Sequence, residues 1–207
     1  MTLAPAAPRS IRSEWRVLAA LALASLIYRV FLVLTMDRIV WGDEPFYLWL
    51  GRNWLTGHGY TFTGYSDVHH TPLFPLLSGL VYLVTGDLQT SSNVVYVICG
   101  GLFAIPMYLI GYEMYGRRAG MLASVLGGVW PAVTMSVLHW GTMTEPPYLL
   151  FIYSGIYCGL RVLRGGGNLA SLACGAFLAL AYLTRPEAIG YLVAVVGMIV
   201  IVRAAER

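Results

Sequence analysis

Lysine is missing from this chain, and charge of either sign is scarce. All 13 basic residues are arginines, and only 11% of the 207 residues are charged, against 58% that are hydrophobic. A soluble domain carries about 25% charged residues, so most of this surface must meet lipid rather than water. The mean hydropathy of +0.69 agrees. The net charge of +3 is spread along the chain without a basic cluster, so no nucleic-acid partner is expected. Cysteine is scarce as well. Cys99, Cys158 and Cys174 sit inside apolar runs, show neither a metal-ligand spacing nor a disulfide framework, and read as small core residues. No internal repeat, low-complexity linker or second soluble domain is visible.

A signal-peptide cleavage site is also lacking. Arg9, Arg12 and Arg16 precede the apolar stretch Val17 to Met36, whose roughly 20 residues match the ~30 Å of a bilayer core. It continues as Thr35-Met36-Asp37-Arg38 rather than into a small-x-small site, so it reads as an uncleaved first membrane helix. Further runs long enough to span fall at about 93–113, 119–139, 143–163, 169–184 and 187–203. If all six span, nine arginines share one side: Arg9, Arg12, Arg16, Arg117, Arg118, Arg161, Arg164, Arg203 and Arg207. Only Arg38, Arg52 and Arg185 face the other. The positive-inside rule then places both termini in the cytoplasm and describes a multi-pass protein of the cell membrane. Asp37, Asp43, Glu44, Asp67, Asp87, Glu145 and Glu187 all gather at the outer face.

The stretch Pro72 to Thr85 has 14 residues and two prolines. Spanning would force Arg117-Arg118 outside, so a re-entrant or interfacial segment is expected. The fold expectation is therefore all-α: a polytopic membrane protein with about six transmembrane helices. Residues 1–207 form a single transmembrane domain, with a cytoplasmic tail at 1–16 and an outer loop at 37–92 carrying short interfacial or re-entrant helices. In that loop a helix is expected over Pro45 to Leu55. Pro45 suits a first turn, Asp43 or Glu44 could cap it, and Gly57 and Gly59 end it. Its aromatics Phe46, Tyr47, Trp49 and Trp54 suit the headgroup level.

Candidate chemistry lies at the same face. Asp43-Glu44 places two carboxylates where a lipid headgroup would lie. Partial withdrawal from water raises a carboxylate pKa and makes a better general base; the competing reading is an N-cap with a first-turn acid. His69 and His70 could titrate or bind a metal, or simply belong to a solvated loop. His70, beside Thr71-Pro72, is the stronger of the two, and His139 is a weaker candidate. Glu145 stands at the mouth of a helix opened by Pro146-Pro147, and an acid at membrane depth is costly unless it faces a cavity or partner. Arg185 and Glu187 flank Pro186 and could hold a phosphate and a sugar hydroxyl, or pair with each other. Arg29, inside the first run, reads as snorkelling toward headgroups or meeting a lipid phosphate.

Three segments carry a resemblance. Trp41-Gly42-Asp43-Glu44-Pro45-Phe46-Tyr47, Gly57-His58-Gly59-Tyr60 and His70-Thr71-Pro72-Leu73-Phe74-Pro75-Leu76 resemble the first outer loop of the C-type integral-membrane glycosyltransferases. The branch is that of dolichyl-phosphate-mannose protein mannosyltransferases and aminoarabinose transferases. Glu145 before its helix, and Leu183-Thr184-Arg185-Pro186-Glu187, are similar too, so the likeness runs from about residue 15 to the end. The resemblance implies transfer, with inversion, of a sugar from a polyprenyl-phosphate donor within membrane lipid to an acceptor, of unspecified identity, at the outer face. It further implies that an outer-loop acid binds or deprotonates the acceptor, while basic residues or a divalent cation balance the phosphate. By position Asp43 matches the catalytic acid and Glu44 its neighbour in shaping the site. His70 and Glu145 would line the cavity, and Arg185 could contact phosphate. Family members usually carry more helices and often a carboxy-terminal soluble domain, so the chain is expected to be an amino-terminal part of such an architecture, a truncated gene product or half of a two-chain assembly. The competing expectation is a non-enzymatic protein on the same fold: a transporter subunit, a lipid-binding scaffold or an inactive remnant. Transporters place polar residues near the midplane and show inverted repeats; neither feature is visible in the sequence.

Overall fold

The computed structural model describes residues 14–141 and 143–205. Arg9, Arg12, Arg207 and most of the expected tail at 1–16 lie outside the described residues. The protein is an all-α membrane protein. Its helices are α1 (Trp15–Thr35), α2 (Glu44–Leu55), α3 (Leu73–Thr85), α4 (Leu88–Leu102), α5 (Ala104–Tyr115), α6 (Arg117–Val129), α7 (Met135–Trp140), α8 (Glu145–Leu163), α9 (Asn168–Thr184) and α10 (Ala188–Ala205). One small antiparallel hairpin, β1 (Thr61–Phe62) with β2 (Tyr65–Ser66), pairs Thr61 with Ser66. Among the described residues three helical stretches are long and apolar enough to cross a membrane: α1, the 28-residue α4–α5 stretch Leu88–Tyr115, and α10.

Five of the expected runs coincide with helical stretches, and one is divided. The run at 119–139 stops at Trp130, where Pro131 supplies no amide to continue the ladder. A 3-10 turn, Pro131–Val133, leads into the short α7. The helix α4 begins five residues before the apolar run, because the Asp87 carboxylate accepts the Thr90 amide at 2.7 Å and caps it. The expected loop helix is α2, and the proline-bearing stretch after His70 is helical as α3. These two pack closely through glycine. A Cβ on Gly51 would lie 2.2 Å from the Pro75 carbonyl oxygen, and one on Gly79 would lie 2.5 Å from that of Gly51.

The core beneath the loop joins α2, α3, α4 and α7 through Leu48, Phe74, Tyr96 and Leu138, with Met143. A second core, Ile152, Cys174, Leu178 and Ala181, joins α8 to α9. Cys99 and Cys174 are buried as free thiols, small core residues as expected. By contrast α1 and α10 expose Leu23, Ile27, Phe31, Val193, Val200 and Ile201, which suits contact with lipid.

Arg29 departs from expectation. It does not snorkel: its side chain turns inward, only 1% exposed, with the guanidinium 4.8 Å from the ring centre of Tyr96. The reason is Gly100 on α4, where any Cβ would sit within 2.6 Å of the guanidinium; the missing side chain leaves the space that Arg29 fills.

Candidate functional site

The link between α1 and α2 turns sharply at Gly42, whose φ of +65° is the left-handed conformation that glycine adopts without strain. The Glu44 amide then donates to the Trp41 carbonyl and the Tyr47 amide to the Asp43 carbonyl, which starts α2. This turn leans on a second one at the end of α7. The Trp41 indole N–H donates to the His139 carbonyl at 2.8 Å, the Trp41 and Trp140 rings lie 5.8 Å apart, and Gly141 has φ +63°. A Cβ on Gly141 would approach the Trp41 carbonyl oxygen to 2.5 Å.

Asp43 and Glu44 part company at this point. Successive residues of a helix start point about 100° apart, and here one faces out and the other in. The Asp43 carboxylate is exposed, makes no capping hydrogen bond, and lines a cavity of about 370 Å³. Glu44 is wholly buried and away from that cavity. Arg38 grips it in a two-point pair, Nη1 to Oε2 at 2.9 Å and Nη2 to Oε1 at 2.8 Å. The Ser92 hydroxyl also donates to Glu44, and Asn93 accepts the Arg38 Nε–H at 3.0 Å. The geometry thus gives Glu44 an anchoring place beside the cavity, docking the start of α2 onto α4.

The opposite wall comes from α8 and the α9–α10 link. Pro146 and Pro147 occupy the first turn of α8, where their missing amides cost nothing, and Glu145 opens that helix facing the cavity. At the end of α9 the chain turns extended at Arg185. Its Nη1 donates to Glu145 Oε1 at 2.6 Å, its Nη2 reaches Glu187 Oε1 at 3.5 Å, and its guanidinium lies 5.7 Å from the Tyr148 ring centre. The second Glu145 oxygen is buried without a hydrogen-bond partner. Burial works against the Arg185 charge, but the facing Glu145 outweighs it and the guanidinium is held more firmly protonated than usual. The Glu187 carboxyl lies below its ordinary range, held down by its own backbone amide and then by Arg185.

Of the six residues singled out in the sequence, Asp43, Glu145, Arg185 and Glu187 line this one cavity, while Glu44 and His70 do not. His70 sits behind it. Its Nδ1 is 3.0 Å from Asp67 Oδ2, and its ring stacks on Phe46 and meets the edge of Tyr47 at 4.9 Å. Asp67 Oδ1 also accepts the amides of His69 and His70; partial burial opposes ionisation there, but these bonds prevail and keep the carboxyl below its usual range. The Thr71 hydroxyl donates to the Thr184 carbonyl at 2.5 Å, tying this loop to the Arg185 wall. His139 is exposed and lines a different, smaller depression with Asp37, Arg38 and Trp41.

Sequence reasoning missed Tyr47, Trp140 and Arg38. Tyr47 lines the cavity, and its phenol is pushed up by burial and then by the Asp43 charge. Arg38 carried one signal: it is the arginine nearest the acid pair on the arginine-poor side. Among the described residues no group of three or more His, Cys, Asp or Glu side chains could hold a metal ion. At this cavity wall Arg185 supplies a positive charge.

Residues 69–207 match the model of the dolichyl-phosphate-mannose-protein mannosyltransferase family, and the chain belongs to that family, one of membrane glycosyltransferases. No curated protein and no solved structure matches the chain. The matched segment holds His70, Glu145, Arg185 and Glu187; Asp43 and Glu44 precede it.

Proposed function

We propose that the protein transfers a sugar from a polyprenyl-phosphate donor to an acceptor hydroxyl at the outer face of the membrane. One observation carries the reading: a carboxylate without a partner among the described residues, Asp43, and an arginine, Arg185, face a single polar cavity at the same end of the helices. In this reading Asp43 takes the proton of the acceptor hydroxyl. The freed oxygen attacks the anomeric carbon, with inversion, as the bond from that carbon to the phosphate oxygen breaks. The electron pair leaves with the polyprenyl phosphate, whose charge Arg185 balances. Glu145 and Glu187 aim the guanidinium, and Glu187 reaches a sugar hydroxyl when the cavity is filled. Glu44, gripped by Arg38, fixes the turn from which Asp43 projects.

The positive-inside count supports the sidedness. Both termini lie in the cytoplasm, six helical stretches cross the bilayer, and the 37–92 loop with its cavity faces outward. Reporter fusions at Gly64 and Gly166 then report opposite sides; the same side for both rejects this topology.

Activity is tested by supplying radiolabelled polyprenyl-phosphate sugar to membranes containing wild type or Asp43→Asn. Loss of transfer in the variant is expected. Equal transfer by the two would remove Asp43 from the chemistry.

A further inference from the structure

The interruption between α6 and α7 leaves a backbone carbonyl that an unbroken helix would satisfy. The Val133 carbonyl would accept the amide of residue 137 in a continuous helix; instead it accepts from Arg29 Nη2 at 3.1 Å. The next carbonyl, that of Thr134, takes the Leu138 amide at 3.4 Å to start α7 and accepts from the Tyr96 hydroxyl at 3.3 Å as well. Thr134 is fully buried, and its own hydroxyl turns back to the Trp130 carbonyl at 2.9 Å. Arg29 comes from α1 and Tyr96 from α4, and the two touch, guanidinium over ring. Neither contacts the cavity.

We infer that Arg29 and Tyr96 form a clamp on the broken helix and act as positioning residues for the catalytic turn. The part of the inference that concerns transfer rests on the function proposed above. In an apolar setting an unpaired carbonyl is costly, so Val133 needs a donor from outside its own segment, and Tyr96 adds a second hold on the first turn of α7. A charged donor makes the stronger bond, and stacking on Tyr96 holds its planar group in place. The clamped segment runs directly into α7, and α7 ends at Trp140 and Gly141, which brace the Trp41-Gly42 turn that carries Asp43. The path from Arg29 to Asp43 thus runs along one short helix. An intramembrane arginine without an acidic partner among the described residues finds its use here as a backbone donor rather than as half of an ion pair.

The test compares wild type, Arg29→Met, Arg29→Lys and Tyr96→Phe, each as the full chain in mild detergent. Hydrogen–deuterium exchange is read by peptide. Arg29→Met is expected to speed exchange about tenfold in residues 131–141 while α8 and α9 stay at wild-type rates. Tyr96→Phe gives a smaller rise in the same peptides, and Arg29→Lys falls between wild type and Arg29→Met. Unchanged exchange in 131–141, or an equal rise along the whole chain, overturns the clamp. If Arg29→Met does not fold, Tyr96→Phe decides by the same two outcomes. In the transfer assay the folded variants are expected to lose kcat while retaining the donor KM; a raised KM at full kcat would mean direct donor contact and also overturns the assignment. The exchange readout needs no activity, so it stands or falls apart from the proposed reaction.

Discussion

The two ends of α8 hold the same chemical pair, arginine with glutamate, and use it differently. At the carboxy-terminal end Glu113 is closed off: its side chain is 0% exposed, 2.8 Å from Arg164 and 4.0 Å from Arg161. The contact is Coulombic, with no aligned hydrogen bond to either carboxylate oxygen, and it joins α5 to α8. At the amino-terminal end Glu145 and Arg185 meet at 2.6 Å but are 26% and 33% exposed, open to the cavity. Asp43, a second acid without a partner among the described residues, shares that cavity. A carboxylate sealed in protein is costly to disturb and free to do little else. A pair at a cavity wall, beside a spare carboxylate, has charge to offer a ligand. The same residue types therefore carry different roles because packing, rather than identity, sets what they can reach.

The contrast can be broken most sharply at Asp43. Asp43→Asn is expected to lower transfer by about a hundredfold or more, the scale of general base catalysis, while thermal unfolding in detergent stays close to wild type because the carboxylate holds no hydrogen bond or ion pair among the described residues. Next comes Arg38→Met, which leaves the buried Glu44 charge unpaired. A loss of about 3–5 kcal/mol is expected from denaturant unfolding, with activity falling only as folded protein is lost and the turn loosens. Glu113→Gln tests the closed end. The arginines there are 28% and 20% exposed and can turn toward water, so about 1–3 kcal/mol of stability is expected to go, with donor KM unchanged. A raised donor KM in that variant would erase the distinction between the two ends. The smallest change is Gly141→Ala, which places a methyl against the Trp41 carbonyl at a left-handed φ. A cost of about 1–2 kcal/mol follows, and a calorimetric shift should be accompanied by slower transfer, since the strained turn supports Asp43.

Much of the architecture was legible from composition alone. The α2 helix begins one residue before its expected start, since Pro45 suits a first turn and Gly57 and Gly59 follow its end. The division at Trp130-Pro131 was also written in the sequence, in a proline within a long apolar run, but hydropathy averages over such a residue. The site was legible in type and only partly in place. Asp43, Glu145, Arg185 and Glu187 are rare polar residues at the ends of apolar runs, and they do converge. Adjacent acids gave no means of telling which faces the cavity, because that depends on Arg38, Ser92 and Asn93 meeting Glu44 from other elements.

What the sequence alone determined is the membrane character of the protein and the grouping of its polar residues at the ends of its helices. Partition into lipid is a sum over local composition, and each apolar run carries its own share of that sum. What only the tertiary structure decided is which charges are paired and which are free. Glu44 is sealed by an arginine six residues away, Glu113 by arginines of another helix, and Arg29 is drawn inward by a glycine on α4. Ion pairing falls off with distance in space, and the distance between elements is set by the packing of the whole chain.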